Sequence, residues 1–172
     1  MATAMKAAAR DRRAGPWAAD RYERVLAVAA VVLLLAAATA VLRGRAQWPG
    51  VPMPVWLHLA TILVALALTP VMLLRPRGDA AHRAIGRIWV AAMLLTAAIS
   101  LGIHLIRPGG FSIIHVLSAW VLLQVPLLWW SARRHQVARH RRAVRGLVTG
   151  ALLVAGFFTF PFDRLLGHWL FG

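Results

Sequence analysis

The sequence predicts an all-α integral membrane bundle, and three observations carry that reading. The chain has 172 residues, of which 60% are hydrophobic and only 15% charged, whereas soluble domains run at about 45–50% and about 25%. The apolar residues gather into five runs, 25–42, 55–74, 88–106, 111–130 and 147–162, separated by short segments rich in arginine. The formal charge is +15, from 20 Lys+Arg against 5 Asp+Glu. A basic nucleic-acid binder is rich in charge and poor in long apolar runs, so no nucleic-acid partner is expected, and the lipid bilayer takes that place.

Each run is read as a helix because crossing the hydrocarbon takes about 20 apolar residues and a lone strand leaves its backbone unsatisfied there. Alternating segments of about ten residues, as a closed barrel needs, are not seen. The first run, 25–42, follows a basic tail over 1–24 and exceeds the apolar core of about 7–15 residues in a cleaved signal sequence. It is expected to be an uncleaved anchor helix, peripheral to the rest, over 25–46. The second, 55–74, begins near His58 and carries Pro70 late. The third, 88–106, spaces Thr96, Ser100 and His104 four apart, a polar stripe on one helix face. The fourth, 111–130, follows the tight turn Arg107-Pro108-Gly109-Gly110 and carries Ser112, His115, Ser118 and Pro126. The fifth, 147–162, starts beside Gly146 and Gly150, a spacing that permits close backbone contact between membrane helices.

The basic residues set the direction. Lys6, Arg10, Arg12, Arg13, Arg21 and Arg24 precede the first run; Arg75, Arg77, Arg83 and Arg87 follow the second; Arg133, Arg134, Arg139, Arg141, Arg142 and Arg145 follow the fourth. These are sixteen of the twenty, and Arg43, Arg45, Arg107 and Arg164 are left for the other side. Cytoplasmic loops hold the excess of Lys and Arg, so the N-terminus is expected inside and the C-terminus outside. Anionic lipid headgroups at the cytoplasmic face are an expected partner.

Several chemistries are excluded early. Cysteine is absent, which removes disulfides, thiolate metal sites and cysteine nucleophiles. Asp11, Asp20, Glu23, Asp79 and Asp163 all lie away from the middle of the apolar runs, which argues against paired-carboxylate hydrolysis and against a buried carboxylate relay.

A repeat relates the last four helices. His58 precedes Pro70 by twelve residues and His82 by 24; His115 precedes Pro126 by eleven and His140 by 25. Each second histidine opens the same pattern, His82-Arg83 then Arg87, and His140-Arg141 then Arg145. Two hairpins of like orientation, about 54–106 and 111–163, would form a four-helix unit within 47–172, related by an axis along the membrane normal. Such an axis pairs His58 with His115, candidate axial ligands for b-type haem, since imidazole commonly serves that role. His82 and His140 are a less favoured second pair, lying among arginines. A zinc or copper site of His104 with His58 and His115 is a further candidate, and interhelical hydrogen bonding is the competing role for all three.

The segments His82-Arg83-Ala84-Ile85-Gly86-Arg87, Gly110-Phe111-Ser112-Ile113-Ile114-His115 and His140-Arg141-Arg142 resemble, in order, the patterns of a family of small bacterial integral membrane proteins of unknown function. The similarity covers about residues 54–167 and departs from the pattern at Arg139 and Arg145. It implies a four-helix unit in the bacterial inner membrane and loosely resembles four-helix b-type cytochromes in fold. The expected function is binding of haem b for electron transfer, with a non-enzymatic accessory or assembly subunit of a larger membrane complex as the alternative.

Overall fold

A computed structural model describes residues 18–106, 113–161 and 164–172, without the side chains at 104–106, 113 and 114. The basic tail before residue 18, the turn at 107–112 with Ser112, and the His104 side chain lie outside the described residues. The described residues form helices α1 (Arg21–Arg43), α2 (Met53–Leu74), α3 (Ala80–Ile106), α4 (Ile113–Arg133), α5 (Val137–Leu147), α6 (Ala155–Phe157) and α7 (Leu165–Phe171). A 3-10 segment, Gly44–Gly50, continues α1, and a π-helical segment, Val148–Val154, joins α5 to α6 without a break. Among the described residues, four helices are long and apolar enough to cross a membrane: Arg21–Gly50, Met53–Leu74, Ala80–Ile103 and His115–Arg133.

The helices form a closed ring rather than a four-helix unit with an attached anchor. Helix α2 packs against α1 and α3, α4 against α3 and α5, and the π-helical segment returns to both α1 and α2. The expectation of a peripheral first helix differs from this packing. Leu26, Ala27 and Ala30 of α1 are buried in the main core with Trp89 of α3, Val125 of α4 and Leu152 of the π segment. Small residues on the inner face of α1 let the helix approach closely, which is how helices associate where no water drives them together. Its outer face, Val25, Val28, Val32 and Leu35, stays exposed.

Helices α1, α2, α3 and α5 begin before their apolar runs, α3 and α5 by the most. Helix α3 starts at Ala80, where Asp79 accepts a hydrogen bond from the His82 backbone N–H at 2.6 Å, satisfying one of the free donors of a helix start. Helix α5 starts at Val137, ten residues before the apolar run, because its first half is amphipathic: Val144 and Leu147 are buried while Arg139 and Arg142 are exposed. An apolar-run reading misses such a segment, since only one stripe of it is hydrophobic.

The far end of the bundle is closed by aromatic packing. Helix α7 folds back on α1, and Trp169, 4% exposed, donates its indole N–H to Gln47 at 2.9 Å. Its ring lies 6.0 Å from Trp56, which meets Trp48 edge-on at 5.2 Å. The close approach that makes this possible is at Gly44, where a Cβ would stand 2.2 Å from the Trp169 ring. At Gly146 and Gly150 an added Cβ would meet nothing within 4 Å, so the expected close contact there is absent among the described residues.

Gly44→Ala is therefore expected to drive Trp169 out of its seat, costing about 1–3 kcal/mol as overpacking does. Thermal unfolding in detergent, followed by tryptophan emission, measures it; an unchanged midpoint and spectrum would contradict the packing. Gly146→Ala serves as the tolerated control.

Candidate functional site

The strongest concentration of polar groups lies at the N-terminal end of α1. Asp20 caps the helix: its carboxylate accepts the Glu23 backbone N–H at 3.0 Å, and the Glu23 carboxylate accepts the Asp20 backbone N–H at 3.1 Å. This reciprocal box satisfies two free donors of the helix start. It also points Glu23 into the bundle, where the residue is 1% exposed.

A carboxylate taken out of water needs opposite charge and hydrogen bonds in return. Three arginines from two other parts of the chain provide them. Arg141 of α5 grips Glu23 with two bonds, Nε to Oε1 at 2.7 Å and Nη2 to Oε2 at 2.9 Å. Arg145, one turn on, reaches Glu23 Oε1 at 3.2 Å and also pairs with Asp20. Arg77, from the link between α2 and α3, pairs with Glu23 and donates to the Ala18 carbonyl at 2.9 Å. The Arg77 side chain is itself 10% exposed. Guanidinium suits this task because its planar fork meets a carboxylate bidentately.

Beside the ion pairs lies a cavity of about 20 Å³, lined by Glu23, Met72, Arg77, His82, His140 and Arg141 among others. That is room for one water molecule, which needs roughly 10–15 Å³ measured this way. His82 Nδ1 is buried without a hydrogen-bond partner, while His140 Nδ1 contacts the Leu128 carbonyl at 3.3 Å. Burial pushes the His140 imidazole below its ordinary value of 6.5, and nearby Arg77 pushes it further, against the Leu128 bond. For Asp20, burial raises the carboxyl value, but the Glu23 N–H together with Arg145 and Arg141 outweighs burial and holds it below the ordinary 3.8.

The remaining histidines are dispersed. His58, half-buried on α2, hydrogen-bonds through Nδ1 to Ser100 Oγ of α3 at 3.0 Å. This bond belongs to a seam between the two helices that also joins Thr61 to Thr96 at 2.8 Å and Trp89 Nε1 to Thr69 at 3.0 Å. Two of the three residues of the stripe expected on the third helix, Thr96 and Ser100, thus do the interhelical bonding expected of it. His115 is half-buried in the first turns of α4. The zinc or copper site built on His104 lies outside the described side chains.

Neither a family model, nor a curated protein, nor a solved structure matches this chain. The site therefore rests on its own chemistry. Sequence reasoning brought forward the histidines and passed over Asp20, Glu23, Arg77, Arg141 and Arg145. Their signal was present: Asp20-x-x-Glu23 just before an apolar run has the form of an acidic capping box. Reading Glu23 as lying at a boundary, and the arginines as orientation signals alone, concealed a buried carboxylate.

Two predictions test the cluster. Glu23→Gln removes the buried charge that Arg77 and Arg141 share, although Arg141 keeps Asp20 at 3.0 Å, and removing one side of a buried pair costs about 3 kcal/mol or more. A fall in unfolding midpoint matching only a surface substitution would refute the burial of this charge. Acidification should also destabilise the protein in two stages. His140 is held neutral, so the unfolded chain binds a proton below about pH 6.5 that the folded chain refuses, and stability falls as pH drops through that range. Asp20 then loses its contribution as pH drops below the ordinary carboxylate value of 3.8 toward its lower folded value. Unfolding midpoints across pH measure both stages, and His140→Gln should reduce the first without removing it, since His82 lines the same buried cavity.

Proposed function

We propose that the chain is a five-span protein of the bacterial cytoplasmic membrane, N-terminus inside, that binds b-type haem between His58 and His115 and transfers electrons. The fifth span is read over 147–162, where the π segment and α6 continue from α5 without a break. The basic α5 before it would lie among headgroups. The observation that carries the reading is the meeting of His82 and His140 at one cavity. Equivalent residues of two parallel repeats would meet in this way about an axis along the membrane normal, with α1 added to the ring between the π segment and α2. Such an axis would relate His58 to His115.

The donor chemistry supports the outer pair. With Ser100 on Nδ1, the nitrogen of His58 left to bind iron is Nε2, and in the tautomer whose Nδ1–H donates to Ser100 Oγ the bond fixes the ring and raises its basicity. When bound, haem supplies one-electron transfer. Ser100 and the Thr61–Thr96 bond position His58 by joining α2 to α3. The inner pair does not fit the macrocycle, because its cavity takes a water molecule and no more.

A second reading has its own support. The His58–Ser100 bond is complete as an interhelical packing contact, which suits an accessory or assembly subunit of a larger membrane complex that binds no cofactor. One spectrum separates the two. Protein purified in mild detergent from haem-sufficient cells should show a Soret band and a reduced α-band, lost in His58→Ala and His115→Ala but retained in His82→Ala. Colourless protein that stays colourless after haem addition eliminates the first reading and leaves the second. Independently, a reporter fused after Gly172 should be active only on the outer side.

A further inference from the structure

The ion-pair cluster divides the arginines at its end of the bundle into two groups. Arg75, Arg77, Arg141 and Arg145 are half-buried, and each pairs with Asp79, Glu23 or Asp20. Arg21, Arg24, Arg83, Arg87, Arg133, Arg134, Arg139 and Arg142 are exposed. No Asp or Glu occurs anywhere from residue 80 to 162, and the two carboxylates that α1 brings to α5 are held by Arg141 and Arg145. Half of this exposed set surrounds the turn between α4 and α5.

The last turn of α4 gives two of these side chains a built seat. Arg134 lies 4.1 Å over the Trp130 ring, and Arg133 lies 5.6 Å from the centre of the Trp129 ring. Both pairs are four residues apart, so indole and guanidinium share one helix face. A guanidinium held over an aromatic ring still carries N–H donors that can meet an oxyanion. The helix ends there: the Gln136 N–H reaches back to the Ser131 carbonyl at 2.9 Å, and His135 takes the left-handed conformation, φ 54°. The turn brings Arg139 and Arg142 to the exposed side of the next helix.

We propose that this turn is a binding platform for the phosphate of an anionic phospholipid headgroup in the cytoplasmic leaflet, with Arg133 and Arg134 as the phosphate-binding pair and Trp129 and Trp130 as their supports. The inference rests on the five-span, N-inside reading only for which leaflet is met. Tryptophan settles at the headgroup level of a bilayer, so rings that position the guanidiniums also set their depth at the phosphates. Bidentate N–H donors match phosphate oxygens, and clustered bases beside a spanning helix attract anionic lipid. An acidic protein segment is the disfavoured occupant, because both tryptophans sit on the final turn of a helix long and apolar enough to span.

The test uses the full chain in a neutral detergent with added short-chain phosphatidylglycerol, phosphatidylcholine or inorganic phosphate, read by thermal unfolding and by native mass spectrometry. Phosphatidylglycerol should raise the midpoint and appear as bound adducts. Phosphatidylcholine and inorganic phosphate should do neither. Arg133→Gln with Arg134→Gln should weaken the phosphatidylglycerol effect about 25-fold, taking each base near the surface as worth about fivefold. The charge-preserving pair Arg133→Lys and Arg134→Lys should fail to rescue it, since lysine neither stacks nor forks. Arg21→Gln with Arg24→Gln, an equal loss of charge elsewhere on the same end, should leave most of the effect. Rescue by lysine, or equal loss in the Arg21/Arg24 variant, would reduce the platform to diffuse charge and overturn the proposal. An equal response to inorganic phosphate would make it a free-anion site, and no response to any of the three would refute it outright. Orientation of the reporter after Gly172 is read separately, so a failed topology and a failed platform give different results.

Discussion

The bundle depends on one buried carboxylate. Glu23 is 1% exposed at the head of α1, and a lone ionised group in that position would cost far more than a small domain's stability. It is tolerable because Arg77, Arg141 and Arg145 converge on it from two distant parts of the chain. The requirement works in both directions. Neutralising Glu23 fixes how far α1 enters the bundle and where α5 begins, and it draws the α2–α3 link across the end. Pairs of this kind add little net stability over an apolar substitute, but only one docking of α1 satisfies them.

The rest of the molecule solves the association of apolar helices by other means. Between lipid-like surfaces there is no hydrophobic gain in bringing two helices together, so small residues and polar bonds take over. Ala27, Ala30, Ala37 and Ala40 give α1 a close-packing face. Between α2 and α3 the bonds Trp89–Thr69, Thr96–Thr61 and Ser100–His58 fix rotation and register. At the far end, Trp169 closes over Gly44. One end is therefore held by charge and the other by aromatic contact, with a hydrogen-bonded seam between.

How much of this was legible in the sequence varies with the type of force. The apolar runs located the long helices because burial in hydrocarbon is a property of each residue summed over a segment. The amphipathic start of α5 was hidden, since Val144 and Leu147 lie among arginines and no run appears. The Thr96–Ser100 stripe could be read, spacing of four being local. The docking of α1 could not, because alanine spacing names a face but no partner. Glu23 was obscured differently: the capping box fixes its backbone within four residues, while its burial depends on Arg141, 118 residues away. Choosing three arginines among so many is a matter of tertiary packing that no local pattern encodes. His82 and His140 precede the apolar runs among arginines; their place in the first turns of α3 and α5, and their shared cavity, again required the fold.

The same distinction gives the net charge two meanings. Orientation in the membrane is decided while the chain inserts, before any tertiary pairing exists, so all sixteen bases assigned to the cytoplasmic side count toward it. Attraction to an anionic surface is exerted by the folded protein, and there the paired arginines no longer count. The four half-buried arginines at this end pair with the three carboxylates described, Asp20, Glu23 and Asp79. Eight described arginines remain exposed on that end. Pairing thus commits the three described carboxylates to four arginines, Glu23 inside the bundle and Asp79 at the surface, and leaves the other eight to set the outward field. A chain selected only for orientation would have no reason to sort its bases in this way, since a paired arginine inserts as well as a free one. The sorting belongs to the folded state: Glu23 requires neutralisation inside, and the exposed arginines are the ones the proposed headgroup platform draws on.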